Sequence, residues 1–298
     1  MESKNPFDLV IACDWSAGQG RSARPRPDRC WLAWSSRSQP DPAVAYAPTR
    51  LEAEAAIVRL LHEHADARTL LGIDVAIGYP LDDSGRPVLP IGRELCAMLA
   101  GMIRDDELGR NNRFEVAAAL NARIARRTGA PLGPFWGRPA SQAHLQDLPA
   151  HRPTGTRVRP LRSVDRLARR PGSRPQSPWQ LLGVGCVGSQ SLMALGMLHR
   201  LLHEPGLADR AHLWPFEPVP KVPASITIAE IYPSMLPTDA HDHWCKDARQ
   251  VLAACRWLRT LPGVPTPAHP DAAMEGWILG VEAREDAADR HAAGRPGR

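Results

Sequence analysis

Residues 7–15 read FDLVIACDW, in which the apolar run LVIAC is followed at once by an acid, Asp14. A short run of this kind is typical of a strand that is buried on both faces of a sheet. Residues 69–80, TLLGIDVAIGYP, repeat the pattern, and here the acid is Asp74. The two stretches therefore predict two core strands, each with a carboxylate at its C-terminal end.

Three further elements lie between these two strands. Residues 30–36, CWLAWSS, and residues 43–48, AVAYAP, are short apolar segments between turn residues and predict two more strands. Residues 51–64, LEAEAAIVRLLHEH, place apolar side chains three and four positions apart, which is the period of a helix. The order strand, strand, strand, helix, strand indicates an α/β fold.

The rest of the chain continues this mixture of elements. Its patterns predict helices at residues 92–104, 112–126, 188–204, 246–261 and 270–284, and strands at residues 211–217 and 225–235. We therefore expect one α/β domain over residues 1–298, with a mixed sheet flanked by helices. Residues 81–180 are expected to form a helical and disordered insertion.

The composition excludes several classes of protein. Hydrophobic residues make up 43% of the 298 residues, which is enough for a full core, and no apolar run approaches the roughly 18 positions that a membrane helix needs. The six cysteines form no C-x-x-C pair, which argues against a disulfide framework and a zinc ribbon. With no export signal recognisable near its N-terminus, the chain is expected in the cytoplasm and not at a membrane.

Positive charge is concentrated in one segment. The formal net charge is +5, and eight arginines fall between residues 151 and 174, where Asp165 is the only acid. Their mixture with Pro, Gly and Ser predicts a mobile basic linker over residues 150–178, which is either simply solvated or attracts phosphates. Residues 285–298 are predicted to form a disordered tail.

Carboxylates at the ends of predicted elements are the strongest sign of chemistry. Asp14, Asp74 and Glu230 each end an apolar strand, and Asp271 and Glu275 lie one turn apart on the last predicted helix. Ligands of open α/β sheets bind outside the carboxyl ends of the strands, and acids that gather there need a cation such as Mg²⁺ or Mn²⁺. The alternative is that each acid is a solvated strand end or a helix cap.

Lys246 is one of only three lysines, and it begins a predicted helix. An ammonium close to clustered carboxylates can stabilise the charge that develops on a phosphate during its transfer. We therefore expect Lys246 to assist catalysis, and the alternative is a surface ion pair.

Two groups of polar residues are candidates for binding a substrate. Asn111, Arg113 and Asn121 fall on one predicted helix, and Trp136 follows in a loop where it can stack on a base. The alternative roles are helix capping, a salt bridge and core packing.

Residues 183–188, GVGCVG, match the G-x-G-x-x-G pattern of dinucleotide-binding folds. They follow no clear strand and lack a well-placed acid some 20 residues later, so a bound dinucleotide is not favoured. The free amides at the start of the next helix, with Ser189 and Gln190, are instead expected to hold one anionic group, unless they only cap a core helix.

Four motifs give the chain a family resemblance. IACDWSA at residues 11–17, GIDVAIGYP at residues 72–80, AEIYPSM at residues 229–235 and DAAMEGWILG at residues 271–280 occur in this order. The chain resembles the predicted nucleases of the domain of unknown function 429, within the ribonuclease H-like superfamily. It is most similar to a proteobacterial branch that also carries GPFWG and WPFE and is often labelled as molybdopterin-guanine dinucleotide synthesis proteins.

The resemblance implies a ribonuclease H-like fold and a set of acids that bind Mg²⁺ or Mn²⁺. The implied acids are Asp14, Asp74, Glu230 and the pair Asp271 and Glu275, where the broader family more often has two aspartates. We therefore expect a metal-dependent hydrolase of phosphodiesters or nucleotide phosphates. The alternatives are a non-hydrolytic nucleotide or pterin binder linked to molybdenum cofactor maturation, and a scaffold that binds nucleic acid through the basic linker.

Overall fold

The computed structural model of the protein describes residues 5–238 and 242–282. The tail predicted at residues 285–298 lies outside these ranges. Within them, six strands form one sheet: β1 (Leu9–Asp14), β2 (Cys30–Ser36), β3 (Ala43–Ala47), β4 (Thr69–Asp74), β5 (Ala211–Leu213) and β6 (Ile226–Glu230).

The strand order in the sheet is β3-β2-β1-β4-β6-β5. Strand β2 is antiparallel to both of its neighbours, whereas β1, β4, β6 and β5 run parallel to one another. The hairpins before α1 give the antiparallel pairs, and the crossover through α1 (Arg50–Glu63) brings β4 parallel to β1. The predicted α/β fold with a mixed sheet flanked by helices is thereby confirmed.

Helices cover both faces of the sheet. They are α1, α2 (Gly92–Met102), α3 (Arg113–Thr128), α4 (Ser163–Leu167), α5 (Gly188–Leu201), α6 (Lys246–Thr260) and α7 (Ala272–Glu275). Because side chains alternate along a strand, Leu9 and Ile11 of β1 pack in a core with α1, α2, α3 and α5, whereas Val10 and Ala12 pack with α6. None of the helices in the described ranges is long and apolar enough to cross a membrane.

Helices of the expected insertion, residues 81–180, belong to the same core as the sheet. Leu95 and Leu99 of α2 and Leu120 of α3 are fully buried in that core, together with Leu195 of α5. The segment therefore supplies two helices, α2 and α3, of the layer that they form with α1 and α5.

The segment 150–178, predicted to be a mobile linker, is packed against the domain. Leu161, Val164 and Ala168 are buried, and Val158 pairs with Asp82 in an isolated bridge. The composition predicted a mobile linker because arginines are usually exposed. Arg162 of this segment is instead buried, with 1% of its side chain exposed. This arginine binds acids of the core, as described below.

The prediction of a last helix over residues 270–284 is wrong for residues 276–282, and residues 283 and 284 lie outside the described ranges. Gly276 ends α7 with a positive φ of 75°, and a Cβ there would lie 3.1 Å from Cγ1 of Ile77. The chain then runs beside β6, where Ile278 pairs with Glu230 and the amide of Leu279 donates to the Glu230 carbonyl at 2.9 Å. The apolar residues that follow Gly276 therefore pair with the end of β6 and turn, and do not continue the helix.

Candidate functional site

A cavity of about 680 Å³ opens at the C-terminal ends of β1 and β4. We call it the strand-end cleft. Its walls come from the ends of these strands, the loop after β1, residues 174–176, the loop and first turn of α5, residues 230–234 and the first turn of α6. The cleft therefore lies where parallel strands of an α/β sheet are expected to bind ligands.

Asp14 and Asp74 lie side by side at the base of the strand-end cleft. They are register partners on the adjacent parallel strands β1 and β4, so their side chains leave the same face of the sheet from backbones roughly 4.8 Å apart. Neither carboxylate accepts a hydrogen bond or forms a salt bridge with any residue in the described ranges. The expected pairing of these two acids is therefore present, and both remain free to bind a ligand.

Burial and the charges of neighbouring acids raise the pKa of both aspartates. The pKa of Asp14 lies well above its ordinary range because of burial and then the charges of Asp74, Asp247 and Asp28. The pKa of Asp74 is also raised, by burial and by the charges of Glu230 and Asp247. The ammonium of Lys246 opposes this effect at Asp14, and Lys246 lines the same cleft.

Asp247 is another acid of the strand-end cleft, and it was not predicted from the sequence. It occupies the first turn of α6, which packs across β1 and β2, and its Oδ2 accepts a 2.7 Å hydrogen bond from the amide of Asp28. The available signal was an acid directly after Lys246, at the start of an amphipathic helix. The position of a helix start relative to the sheet cannot be inferred from the sequence, whereas that of a strand end can.

Glu230 lines the strand-end cleft, but its carboxylate is already neutralised by an arginine. Its register partner on β4 is Ile73, so the pleat of the sheet directs it to the face opposite Asp74. Both of its oxygens accept 2.6 Å hydrogen bonds from Arg162, and Oε2 also accepts from the amide of Ile77. The expectation that Glu230 completes the metal ligands is not supported, because a buried arginine already neutralises it.

Glu275 and Asp271 also have their carboxylates occupied, and neither lines the strand-end cleft. Glu275 accepts hydrogen bonds from the amides of Leu81 and Ser163, at 3.0 and 2.6 Å. Asp271 accepts from Arg159 at 3.0 Å and from the Ser163 hydroxyl at 2.7 Å. Since α7 is short and packs beside α4, the predicted metal set of Asp14, Asp74, Asp271 and Glu275 is not brought together.

The described residues contain no group of three or more His, Cys, Asp or Glu side chains already arranged to hold a metal ion.

Two predicted substrate-binding residues serve the scaffold. Asn121 is fully buried; its side chain donates to the carbonyls of Phe135 and Asp147 and accepts from the amide of Phe135. Trp136 lies in a separate small pocket, where its backbone pairs with Gln180. Asn121 thus fastens the loop after α3, and Trp136 is not placed to stack on a ligand in the strand-end cleft.

Replacing Asn121 with Ala is expected to destabilise the protein by about 3 kcal/mol, because it leaves buried backbone groups of the loop without partners. Urea unfolding measures this loss, and Gln146→Ala, which removes an exposed amide, is the control. A loss of unfolding free energy below about 0.5 kcal/mol, the range of ordinary surface substitutions, would show that the hydrogen bonds of Asn121 do not stabilise the loop.

The remaining predicted binding residues meet at the start of α5. Arg113 donates from Nε to the Ser189 hydroxyl at 3.0 Å and from Nη1 to Asn111 at 2.8 Å. Arg113, Ser189 and Gln190 line the strand-end cleft, whereas Asn111 supports Arg113 without lining it.

Comparisons with family models, with curated proteins and with solved structures gave no match to this chain. The resemblance to ribonuclease H-like nucleases therefore stays a prediction from the motifs.

Proposed function

We propose that the protein is a divalent-metal-dependent hydrolase of phosphodiesters or nucleotide phosphates, with a ribonuclease H-like arrangement of its acids. The observation that carries the proposal is the pair Asp14 and Asp74, in register and without a neutralising partner among the described residues. Other acids of the core, such as Glu230 and Glu275, have all their oxygens engaged. Two free acids in a cleft are a costly arrangement unless a ligand compensates them.

The donor chemistry of the strand-end cleft fits Mg²⁺ or Mn²⁺. The carboxylates of Asp14, Asp74 and Asp247 offer hard oxygen ligands, which these ions prefer. Burial, and then the charges of neighbouring acids, raise the pKa values of all three, and a bound cation would compensate their negative charge. A bound ion supplies polarisation of the phosphate and a more acidic water. Asp271 and Glu275 are not part of this proposed set.

The side chains around the acids have separate roles in this proposal. The amide of Asp28 fixes the orientation of Asp247, and the ammonium of Lys246 stabilises negative charge on the phosphate oxygens. Arg162 holds the end of β6 through Glu230, whose carboxylate also binds the amide of Ile77, three residues after Asp74. That contact orders the segment after β4, the strand that ends at Asp74.

The proposed place of action is the cytoplasm. All six cysteines are free thiols, and five of them are buried. Unpaired cysteines are typical of proteins that fold in a reducing compartment.

Purified protein stripped with EDTA is expected to hydrolyse RNA or single-stranded DNA only after Mg²⁺ or Mn²⁺ is added. Replacing Asp247 with Asn is expected to lower this activity by about 100-fold, because it removes one of the three proposed ligands. The control is Asp66→Asn, which removes an exposed acid far from the strand-end cleft. Full activity in EDTA, or no activity with any of these substrates and metals, would refute the proposal.

A further inference from the structure

Arg113 is a buried cation without a buried counter-charge. It is 9% exposed, and the only other described arginines buried to this degree are Arg50 and Arg162. Arg50 binds Asp105 at 2.6 Å, and Arg162 binds Asp165 and Glu230 at 2.8 and 2.6 Å. Arg113 forms no salt bridge with a described residue, and its hydrogen-bond partners are the neutral oxygens of Ser189 and Asn111.

An uncompensated buried guanidinium is costly, so it points to an anionic ligand. Burial, followed by the charge of Arg50, lowers the pKa of Arg113 to about 10. The ring of Phe114 packs against the guanidinium carbon at 4.3 Å, and Nη2 donates to no described residue. Since Arg113 lines the strand-end cleft, its Nη2 group can donate a hydrogen bond to a molecule that binds there.

The first turn of α5 adds donors at the same place. The helix is 14 residues long, and the amides of Ser189 and Gln190 donate to no described residue, whereas the amide of Gly188 binds the Gln180 carbonyl. Free amides at a helix start carry partial positive charge and bind phosphates. The hydroxyl of Ser189 accepts the hydrogen bond from Arg113, so these amides lie on the helix turn that the guanidinium contacts. Gln190 also lines the cleft.

This cationic end of the strand-end cleft is joined by a hydrogen bond to the segment that follows Asp74. The amide of Ala76, two residues after Asp74, donates to the hydroxyl of Ser191 in α5 at 3.1 Å. A ligand in the cleft can therefore contact the acids at one end and Arg113 at the other. A substrate with a single phosphate occupies only one of these ends.

We propose that Arg113 and the amides of Ser189 and Gln190 bind a second phosphate of the substrate, beside the one that is hydrolysed at the aspartates. The inference rests on the proposed function for the identity of the first phosphate. It narrows the substrate class to molecules that carry at least two phosphate groups.

The test measures binding of inorganic phosphate by calorimetry in EDTA, where no metal occupies the acids. The variant is Gln190→Glu, which places a negative charge inside the proposed anion site while favouring the helix, because an acid in the first turn is stabilising. Replacing Arg113 would also remove buried hydrogen bonds, so that variant is secondary. Gln146→Glu is the matched control, since it makes the same change at an exposed position outside the cleft.

Wild type and Gln146→Glu are expected to bind phosphate equally, and Gln190→Glu at least about 10-fold more weakly, with an unchanged circular dichroism spectrum. Equal binding by Gln190→Glu, or no binding by wild type, overturns the second phosphate site. Because metal is absent, this outcome is separate from catalysis. Phosphate binding without metal-dependent hydrolysis refutes the proposed function alone, and hydrolysis without phosphate binding refutes the second site alone.

Discussion

Replacing Asp74 with Asn is expected to lower metal-dependent hydrolysis by about 1000-fold and, in EDTA, to raise the melting temperature. Activity falls because the substitution removes a carboxylate that faces both the proposed metal and Asp14. Stability rises because Asp74 accepts no hydrogen bond from a described residue and its charge repels Asp14. An amide of the same shape removes the repulsion without breaking a contact.

The pH dependence of stability tests the same repulsion. The folded protein holds the pKa values of Asp14 and Asp74 above the ordinary carboxyl value of about 4, so between that value and the raised pKa it binds more protons than the unfolded chain. In EDTA, unfolding free energy is therefore expected to fall as pH rises through this window. The double variant Asp14→Asn with Asp74→Asn should lose this slope, and Mn²⁺ should reverse it in the wild type.

Asp66→Asn serves as the control for both measurements, because Asp66 is exposed and lies outside the strand-end cleft. A variant of Asp74 that unfolds more easily in EDTA would show that its carboxylate stabilises the fold. Unchanged hydrolysis in that variant would place the reaction elsewhere in the molecule.

The sequence predicted those parts of the fold that depend on local patterns. The apolar run of residues 30–36 corresponds to the observed β2, and the acids that end β1 and β4 were expected at one edge of the sheet. These inferences succeed because a parallel pair of strands brings its carboxyl ends together whatever the rest of the chain does. The central feature of the candidate site is therefore visible in two short segments.

The sequence could not show which of the other acids are neutralised by hydrogen bonds, because their partners are far away along the chain. Glu230 and Arg162 are 68 residues apart, and nothing local indicates that the arginine is buried against that strand end. Glu275 is likewise held by the amides of Leu81 and Ser163. Asp247 was missed for the opposite reason, since only the packing of α6 across β1 brings it to the cleft.

The interaction of Arg162 with its two acids is expected to be the most important single polar contact for stability. Arg162, Asp165 and Glu230 are 1%, 2% and 3% exposed, and the guanidinium donates to both carboxylates. Replacing Arg162 with Met keeps most of the buried volume and leaves two acids without a counter-charge. The expected loss of unfolding free energy is about 3–5 kcal/mol, the range measured when one partner of a buried ion pair is removed.

Urea unfolding of Arg162→Met at neutral pH measures this loss, with Arg59→Met as the control because Arg59 forms only a 3.8 Å surface pair with Glu63. Adding Glu230→Gln and Asp165→Asn to Arg162→Met is expected to restore much of the stability, since the uncompensated charges are then gone. The deficit should shrink at low pH: burial already raises the pKa of Glu230 and Arg162 opposes that rise, so without the arginine the carboxyl takes up a proton more readily. A loss below about 1 kcal/mol, or one that does not depend on pH, would show that the acids reach water and that the segment around α4 is only loosely attached.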